Sequence, residues 1–324
     1  MDLKQLTALV TVAEAGSVTG AARLLHLVQP AVTRQIRSLE QELGVPLFER
    51  TRQGMRLTAA GTVLVERARR ALTELERARA EIRPEPGPVT GIATLGLLES
   101  ALDVVIAPLV DHMRRHQPGI RLRLLTAYSG HLQQWLDQGD VDLSLLYNLR
   151  STPSLRVRPL LREQLWAVAP PHADLTMDRP VPLSDLVARP MVMPVAGHGL
   201  RILIDQVYAR AGQTPRIAIE TNSMHVQKQL VLAGSGWTIL PAAGVASDVA
   251  AGSFSAAPLD DPEATRDLVL GLPRTSRPAP AVEVVAREIV TVVRALVESG
   301  AWPSAEWLDG TGPGRSPGGL DPNR

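Results

Sequence analysis

The chain has 324 residues, 45% of them hydrophobic and 21% charged, the balance of a globular protein with room for two or three domains. Cysteine is absent, which excludes disulfides, thiolate zinc sites and cysteine nucleophiles at once. The formal net charge is only +1, so no general attraction to polyanions follows, but residues 1–84 hold 13 lysines and arginines against 9 acids and form the basic part.

No run of about 18 uncharged apolar residues occurs, and Met1-Asp2-Leu3-Lys4-Gln5 does not lead into an apolar signal segment. The expectation is a cytoplasmic protein with no membrane partner. Leu3, Leu6, Val10 and Ala13 fall on one face of a first helix, which Gly16 stops and Ser17 restarts as an N-cap. The stretch from Gly20 to Ile36 then reads as two short helices joined by a tight turn. In the later one Val32, Ile36, Leu39 and Leu43 make an inward stripe. Its opposite face carries Gln29, Thr33, Arg34 and Arg37, residue types that bond base edges and phosphates in a major groove. Pro30 costs little in a first helical turn, whose amides have no intrahelical partner.

Residues 44–61 hold too much Gly and Pro for one helix, and Arg52-Gln53-Gly54-Met55 reads as a hairpin turn between two short strands, a wing. Arg50, Arg52 and Arg56 could each reach backbone phosphate there. Next, Leu57, Gly61, Leu64, Ala68, Ala71, Leu75, Ala78 and Ile82 alternate spacings of four and three, the seam of a two-helix coiled coil. That predicts a homodimer through residues 57–82. Pro84-Glu85-Pro86-Gly87-Pro88 breaks the helix as a hinge.

Beyond the hinge, strand and helix signals alternate: Gly91 to Gly96, a helix through Leu102, Val105, Leu109 and Met113, Ile120 to Leu124, a helix with Leu132, Trp135 and Leu136, then Val141 to Leu146. Such alternation implies a mostly parallel sheet. A looser repeat follows from Leu165, with strands at 191–193, 217–219 and 236–241 and helices at 199–211 and 224–233. Leu268 to Leu272 could lead back to the first subdomain, and Val282, Val285, Ile289, Val293 and Leu296 line a last helix. The expected domains are 1–60 (reader), 61–84 (dimerisation helix), 85–90 (hinge), 91–300 (effector domain, with subdomain I at 91–163 and 270–300 and subdomain II at 164–269), and a disordered tail at 301–324 rich in Gly and Pro.

In such sheets ligands bind outside the carboxyl ends of strands, near helix N-termini. Ser100, Ser129 and Thr221-Asn222-Ser223 lie at such turns, where each hydroxyl could equally serve as a plain cap. Val195, His198 and Gly199 lie in the loop opening the second subdomain, and Tyr147 and Asn148 end a strand beside the hinge.

Residues 3–61 resemble the winged helix-turn-helix of the LysR-type transcriptional regulators. The resemblance rests on Ala21-Ala22-Arg23-Leu24-Leu25-His26, Gln29-Pro30-Ala31-Val32-Thr33-Arg34-Gln35-Ile36, Leu39-Glu40, Leu43-Gly44-Val45-Pro46-Leu47-Phe48-Glu49-Arg50 and Leu57-Thr58-Ala59-Ala60-Gly61. Val28 and Thr33 stand where family members usually carry Ser, and Val28 removes an N-cap worth about 1 kcal/mol. The second half resembles the family's effector domain, two α/β subdomains like those of a periplasmic solute-binding protein, through Ser129-Gly130-His131-Leu132, Gly139-Asp140-Val141-Asp142-Leu143 and residues 231–241. The resemblance spans about residues 3–300. It implies double-stranded DNA as partner, a homotetramer built as a dimer of dimers, RNA polymerase as a candidate partner, and a co-inducer, an anion among the candidates, at Ser100 and Ser129.

Two rivals fit less well. For an enzyme, His112 and His116 have the i, i+4 spacing of metal ligands but lack the glutamate of a zinc protease, and Gly234-Ser235-Gly236 lacks the nucleophile-elbow spacing. No metal site, catalytic residue or cofactor is expected. A free-standing solute-binding or sensor protein would need neither the N-terminal reader nor the seam.

Overall fold

The computed structural model describes residues 1–51, 54–82, 88–149, 151–274 and 278–308, leaving aside the side chains of Arg50, Glu76, Arg77 and residues 79–82. Contacts divide the chain into two units, Met1–Pro86 and Gly87–Arg324.

The first unit runs α1 (Leu3–Ala15), α2 (Val18–Leu24), α3 (Gln29–Leu43), β1 (Phe48–Thr51), β2 (Gly54–Leu57) and α4 (Ala59–Ile82). A capping box starts α1: the Asp2 carboxylate accepts from the Gln5 N–H, and the Gln5 side chain accepts from that of Asp2. Gly16, at φ 64°, ends it, and Ser17 Oγ accepts from the Gly20 N–H to start α2. No side chain caps α3, whose N-cap is Val28. Ala8, Leu9, Val12, Val32, Ile36, Leu39, Leu47 and Phe48 form the core. Leu43, expected to complete the inward stripe, is instead 40% exposed at the end of α3.

The wing strands pair antiparallel, Phe48 opposite Leu57. The Met55 N–H donates to the Gly16 carbonyl at 2.8 Å, and a Cβ on Gly54 would meet that oxygen at 2.4 Å, so only glycine lets the wing sit on the α1–α2 turn. The turn residues Arg52 and Gln53 lie outside the described residues. The seam is a correction in part, since its first half is spent inside the unit. Gly61 and Ala68 are buried, Leu57 and Leu64 pack on the core with Val65, and a Cβ on Gly61 would lie 2.0 Å from the Leu47 carbonyl oxygen. From Ala71 on, Leu75 and Ala78 stay exposed; the Ile82 side chain is outside the described set.

The second unit comprises β3 (Gly91–Leu97), α5 (Leu102–His116), β4 (Ile120–Thr126), α6 (Ser129–Gln138), β5 (Leu143–Tyr147), β6 (Leu155–Ala169), α7 (Leu183–Val187), β7 (Pro190–Pro194), α8 (Gly199–Arg210), β8 (Arg216–Thr221), α9 (Met224–Leu232), β9 (Thr238–Pro241), α10 (Ala246–Ala250), β10 (Ser255–Pro258), β11 (Thr265–Pro273), α11 (Pro280–Glu298) and β12 (Ala305–Trp307). One sheet runs β10-β6-β11-β5-β3-β4, with β9 and β12 also on β6, and β7–β8 form a parallel pair. The expectation of a mostly parallel sheet is corrected: within the large sheet only β3–β4 and β3–β5 are parallel. β6 and β11 run antiparallel through both lobes. Leu160, Leu161 and Leu268 belong to a first core with β3, α5 and α11, whereas Leu165, Ala167 and Ala264 belong to a second with α8. β6 begins ten residues before the expected Leu165, and Pro159 is accommodated where its register with β11 shifts between Leu268 and Val269.

The tail is a further correction. Residues 301–308 are ordered by contacts: Trp302 is 1% exposed, and β12 pairs with β6, Ala305 opposite Glu163. A buried indole outweighs the Gly and Pro content that predicts disorder. Residues 83–87, which include the first half of the expected hinge at 85–90, and the tail residues 309–324 lie outside the described set.

Candidate nucleic-acid interface and effector cleft

On α3 the polar face is presented as its period requires. Gln29, Pro30, Arg34 and Arg37 are exposed, while the Thr33 hydroxyl, half-buried, donates to the Gln29 carbonyl at 3.1 Å. Neither Arg34 nor Arg37 forms an ion pair or hydrogen bond among the described residues, so both guanidinium groups are available to an external acceptor. Val28, which precedes the helix, is 70% exposed. Arg56 differs: its guanidinium pairs with Glu49 at 2.9 Å, an exposed bridge worth little and easily exchanged for a phosphate. The side chains of Arg50 and Arg52 lie outside the described residues.

In the second unit a cleft of about 110 Å³ opens between the two lobes. Eight of the nine residues expected there line it: Ser100, Ser129, Tyr147, Asn148, His198, Gly199, Thr221 and Asn222. Val195 does not; its N–H donates to the Thr221 carbonyl, tying it to the β7–β8 pair. Leu98, Leu200, Leu203, Met224 and Leu240 supply apolar wall.

Sequence reasoning missed the group at the centre. Arg266, on β11, is 6% exposed at its side chain and pairs with Glu163 of β6, fully buried, at 2.6 Å. Its Nη2 also donates to Ser100 Oγ at 2.9 Å and to the Tyr147 hydroxyl at 2.5 Å, and the guanidinium carbon stands 3.3 Å from the Tyr147 ring centroid. Glu163 Oε1 accepts from Tyr147 Oη at 2.9 Å; Oε2 accepts from Trp302 Nε1 at 3.1 Å and the Ala243 N–H at 3.4 Å. A buried carboxylate survives only with its lone pairs filled in this way. Arg266 Nη1 has no hydrogen-bond partner among the described residues.

The Ser100 and Ser129 hydroxyls are not helix caps. Ser100 sits in a short 3₁₀ turn and bonds Arg266, and Ser129 Oγ accepts from the Tyr147 N–H at 3.2 Å. No side chain caps α6, so the amides of its first turn stay open to an acceptor. At α9 the expected open amides are already used: Ser223 caps the helix, and the Glu99 carboxylate, from the other lobe, accepts from the Met224 and His225 N–H groups at 3.3 and 3.4 Å. Asn148, at φ 53°, accepts from the Asp267 N–H through its side-chain oxygen. His198 Nδ1 accepts from the Leu200 N–H and caps α8, which leaves its proton on Nε2. Burial, then the charge of Arg266, holds that imidazole below its usual pKa, so it is a neutral donor. Burial likewise pushes the Tyr147 phenol far up.

A helix-turn-helix with a wing, followed by a two-lobed α/β unit with a donor-lined cleft at its waist, defines a ligand-responsive DNA-binding regulator. The family model "Bacterial regulatory helix-turn-helix protein, lysR family" matches residues 3–62, and "LysR substrate binding domain" matches residues 86–294. The HTH-type transcriptional regulator BbuR of Bordetella bronchiseptica is 32% identical over 303 residues, 94% of this chain and 93% of that protein. CbbR of Xanthobacter flavus is 34% identical over 77% of this chain and 75% of its own length. Among solved structures, full-length CbnR complexed with its target DNA has a TM-score of 0.65 at 24% identity, covering 91% of this chain and 99% of that one. A full-length OxyR variant of Pseudomonas aeruginosa has 0.66 at 21%, covering 91% and 95%; both show the fold. The chain belongs to the LysR family of transcriptional regulators, with a helix-turn-helix DNA-binding domain and an effector-binding domain.

Proposed function

We propose that α3 reads duplex DNA through Gln29, Thr33, Arg34 and Arg37, with Pro30 setting the first turn and Arg50, Arg52 and Arg56 holding backbone phosphate. The solved complex of CbnR with DNA, at 24% identity, supports this by fold. The exposed second half of α4, Ala71 to Ala78, brings two readers together as a homodimer, and two dimers form a tetramer. The protein acts in the cytoplasm, engages RNA polymerase, and catalyses no reaction; among the described residues no helix is long and apolar enough to cross a membrane.

The effector is a small molecule with an acceptor-rich, anionic head and an apolar body. Convergence of Ser100, Ser129, His198 Nε2–H and the unspent Arg266 Nη1 on one small cleft carries that reading. Its binding shifts transcription only by favouring one arrangement of the lobes over another. With no cysteine in the chain, a thiol-based response is excluded.

A thermal-shift screen of small carboxylic acids tests this. A ligand at 100 times its Kd should add about 2.7 kcal/mol. Gly199→Phe should abolish the shift, because Gly199 lines the cleft and a Cβ there meets nothing within 4 Å. A ligand that stabilises wild type and Gly199→Phe equally would place the effector elsewhere.

A further inference from the structure

We propose that residues 300–308 form a strap across the waist of the effector domain, and that Trp302 is a positioning residue that sets Arg266 for the cleft. The functional half of this rests on the effector reading above; the structural half does not. The segment lies beyond the residues matched by the family's effector-domain model, 86–294.

After α11 the chain turns at Gly300, φ 72°, and buries Trp302, whose indole N–H donates to Glu163. That carboxylate has four donors, Arg266, the Tyr147 hydroxyl, the Ala243 N–H and Trp302. Arg266 and Tyr147 line the cleft; Trp302 does not. Removing the indole donor leaves one oxygen of a fully buried anion with the Ala243 amide alone, so the carboxylate must shift, and Arg266 with it.

The strap also grips the stretch where β6 passes between lobes. Ser304 Oγ accepts from Trp166 Nε1 at 3.1 Å, its carbonyl accepts from the Gln164 N–H at 3.0 Å, and the Leu308 N–H donates to the Leu160 carbonyl at 2.8 Å. Glu306 stands opposite Arg162, which already forks onto Asp267 of β11 at 2.7 and 3.0 Å. Residues 161–163 thus pair on one side with β11 and on the other with the strap. The cleft's central cation and the crossover between lobes share one brace.

The test reads Arg266 directly, without any ligand, in the full-length protein. In ¹⁵N-arginine-labelled samples, Trp302→Phe should displace the Arg266 Nε–H resonance and speed its exchange with water about tenfold, the loss that one hydrogen bond to a charged group implies. In a Glu163→Leu background, which has no acceptor for the indole, the same substitution should have no further effect, because the coupling runs through the carboxylate. A chain ending at residue 308 should keep the wild-type resonance, and one ending at residue 300 should reproduce Trp302→Phe, which serves if that variant folds poorly. An Arg266 signal unmoved by Trp302→Phe, or moved equally in both backgrounds, overturns the proposal and leaves the effector reading standing. The Gly199→Phe screen can fail without touching this one.

Discussion

Arg266→Met isolates the cost of the buried pair. Glu163 is fully buried and the Arg266 side chain 6% exposed, so the substitution keeps a chain of similar length but strands an anion among neutral donors. Breaking one side of such a pair costs about 3–5 kcal/mol. For a unit of this size, at roughly 2–4 °C per kcal/mol, Tm should fall by roughly 6–20 °C. All five tryptophans, at 135, 166, 237, 302 and 307, lie in the second unit, so their fluorescence in a urea or thermal melt reports that unit alone. Adding Glu163→Gln removes the stranded charge and should restore most of the loss. A single variant within about 1 kcal/mol of wild type, or a double variant no better than the single, would refute the account of the pair.

His198 should make the effector unit acid-sensitive. Its native pKa is depressed, so its contribution is complete above the unfolded value of about 6.5 and is lost as pH falls through the native one. His198→Asn, which can still cap α8, should flatten that pH dependence in a melt series. Gly61→Ala should weaken the reader by about 1–3 kcal/mol, since its Cβ would meet a backbone oxygen at 2.0 Å, and amide exchange across residues 3–68 should rise. Leu75→Glu should raise the dimer dissociation constant at least about tenfold in sedimentation, as burying a leucine is worth more than about 1.4 kcal/mol.

The reader was legible because helical period, capping residues and a Gly-punctuated wing are local signals, and Val32, Ile36 and Leu39 are buried as their spacing predicts. The seam was half legible. A heptad pattern says which face is apolar but not what covers it: the unit's own core takes Val65 and Ala68, and Gly61 lies against Leu47. In the cleft, residues at strand ends were found because topology gathers such turns. Arg266 was not, because Thr265-Arg266-Asp267 in isolation reads as a solvated strand edge, and its partner Glu163 is 103 residues away. β6 starts ten residues before its apolar run at Leu165 because the register shift admits Pro159 and Asp267 pairs Arg162. In the tail, composition hid Trp302 and Trp307, the two aromatics whose signal opposed disorder.

If the exposed face of α3 selects DNA, fragment choice must depend on Arg34. Purified full-length wild type and Arg34→Ala should be incubated with sheared genomic fragments at several salt concentrations and the retained DNA sequenced. The account predicts a discrete set of wild-type fragments, retention falling steeply with salt, and a weakened preference in Arg34→Ala, about 1–3 kcal/mol at the positions it reads. No retention by wild type even in dilute buffer, or an identical fragment set with equal affinity from the variant, would contradict it.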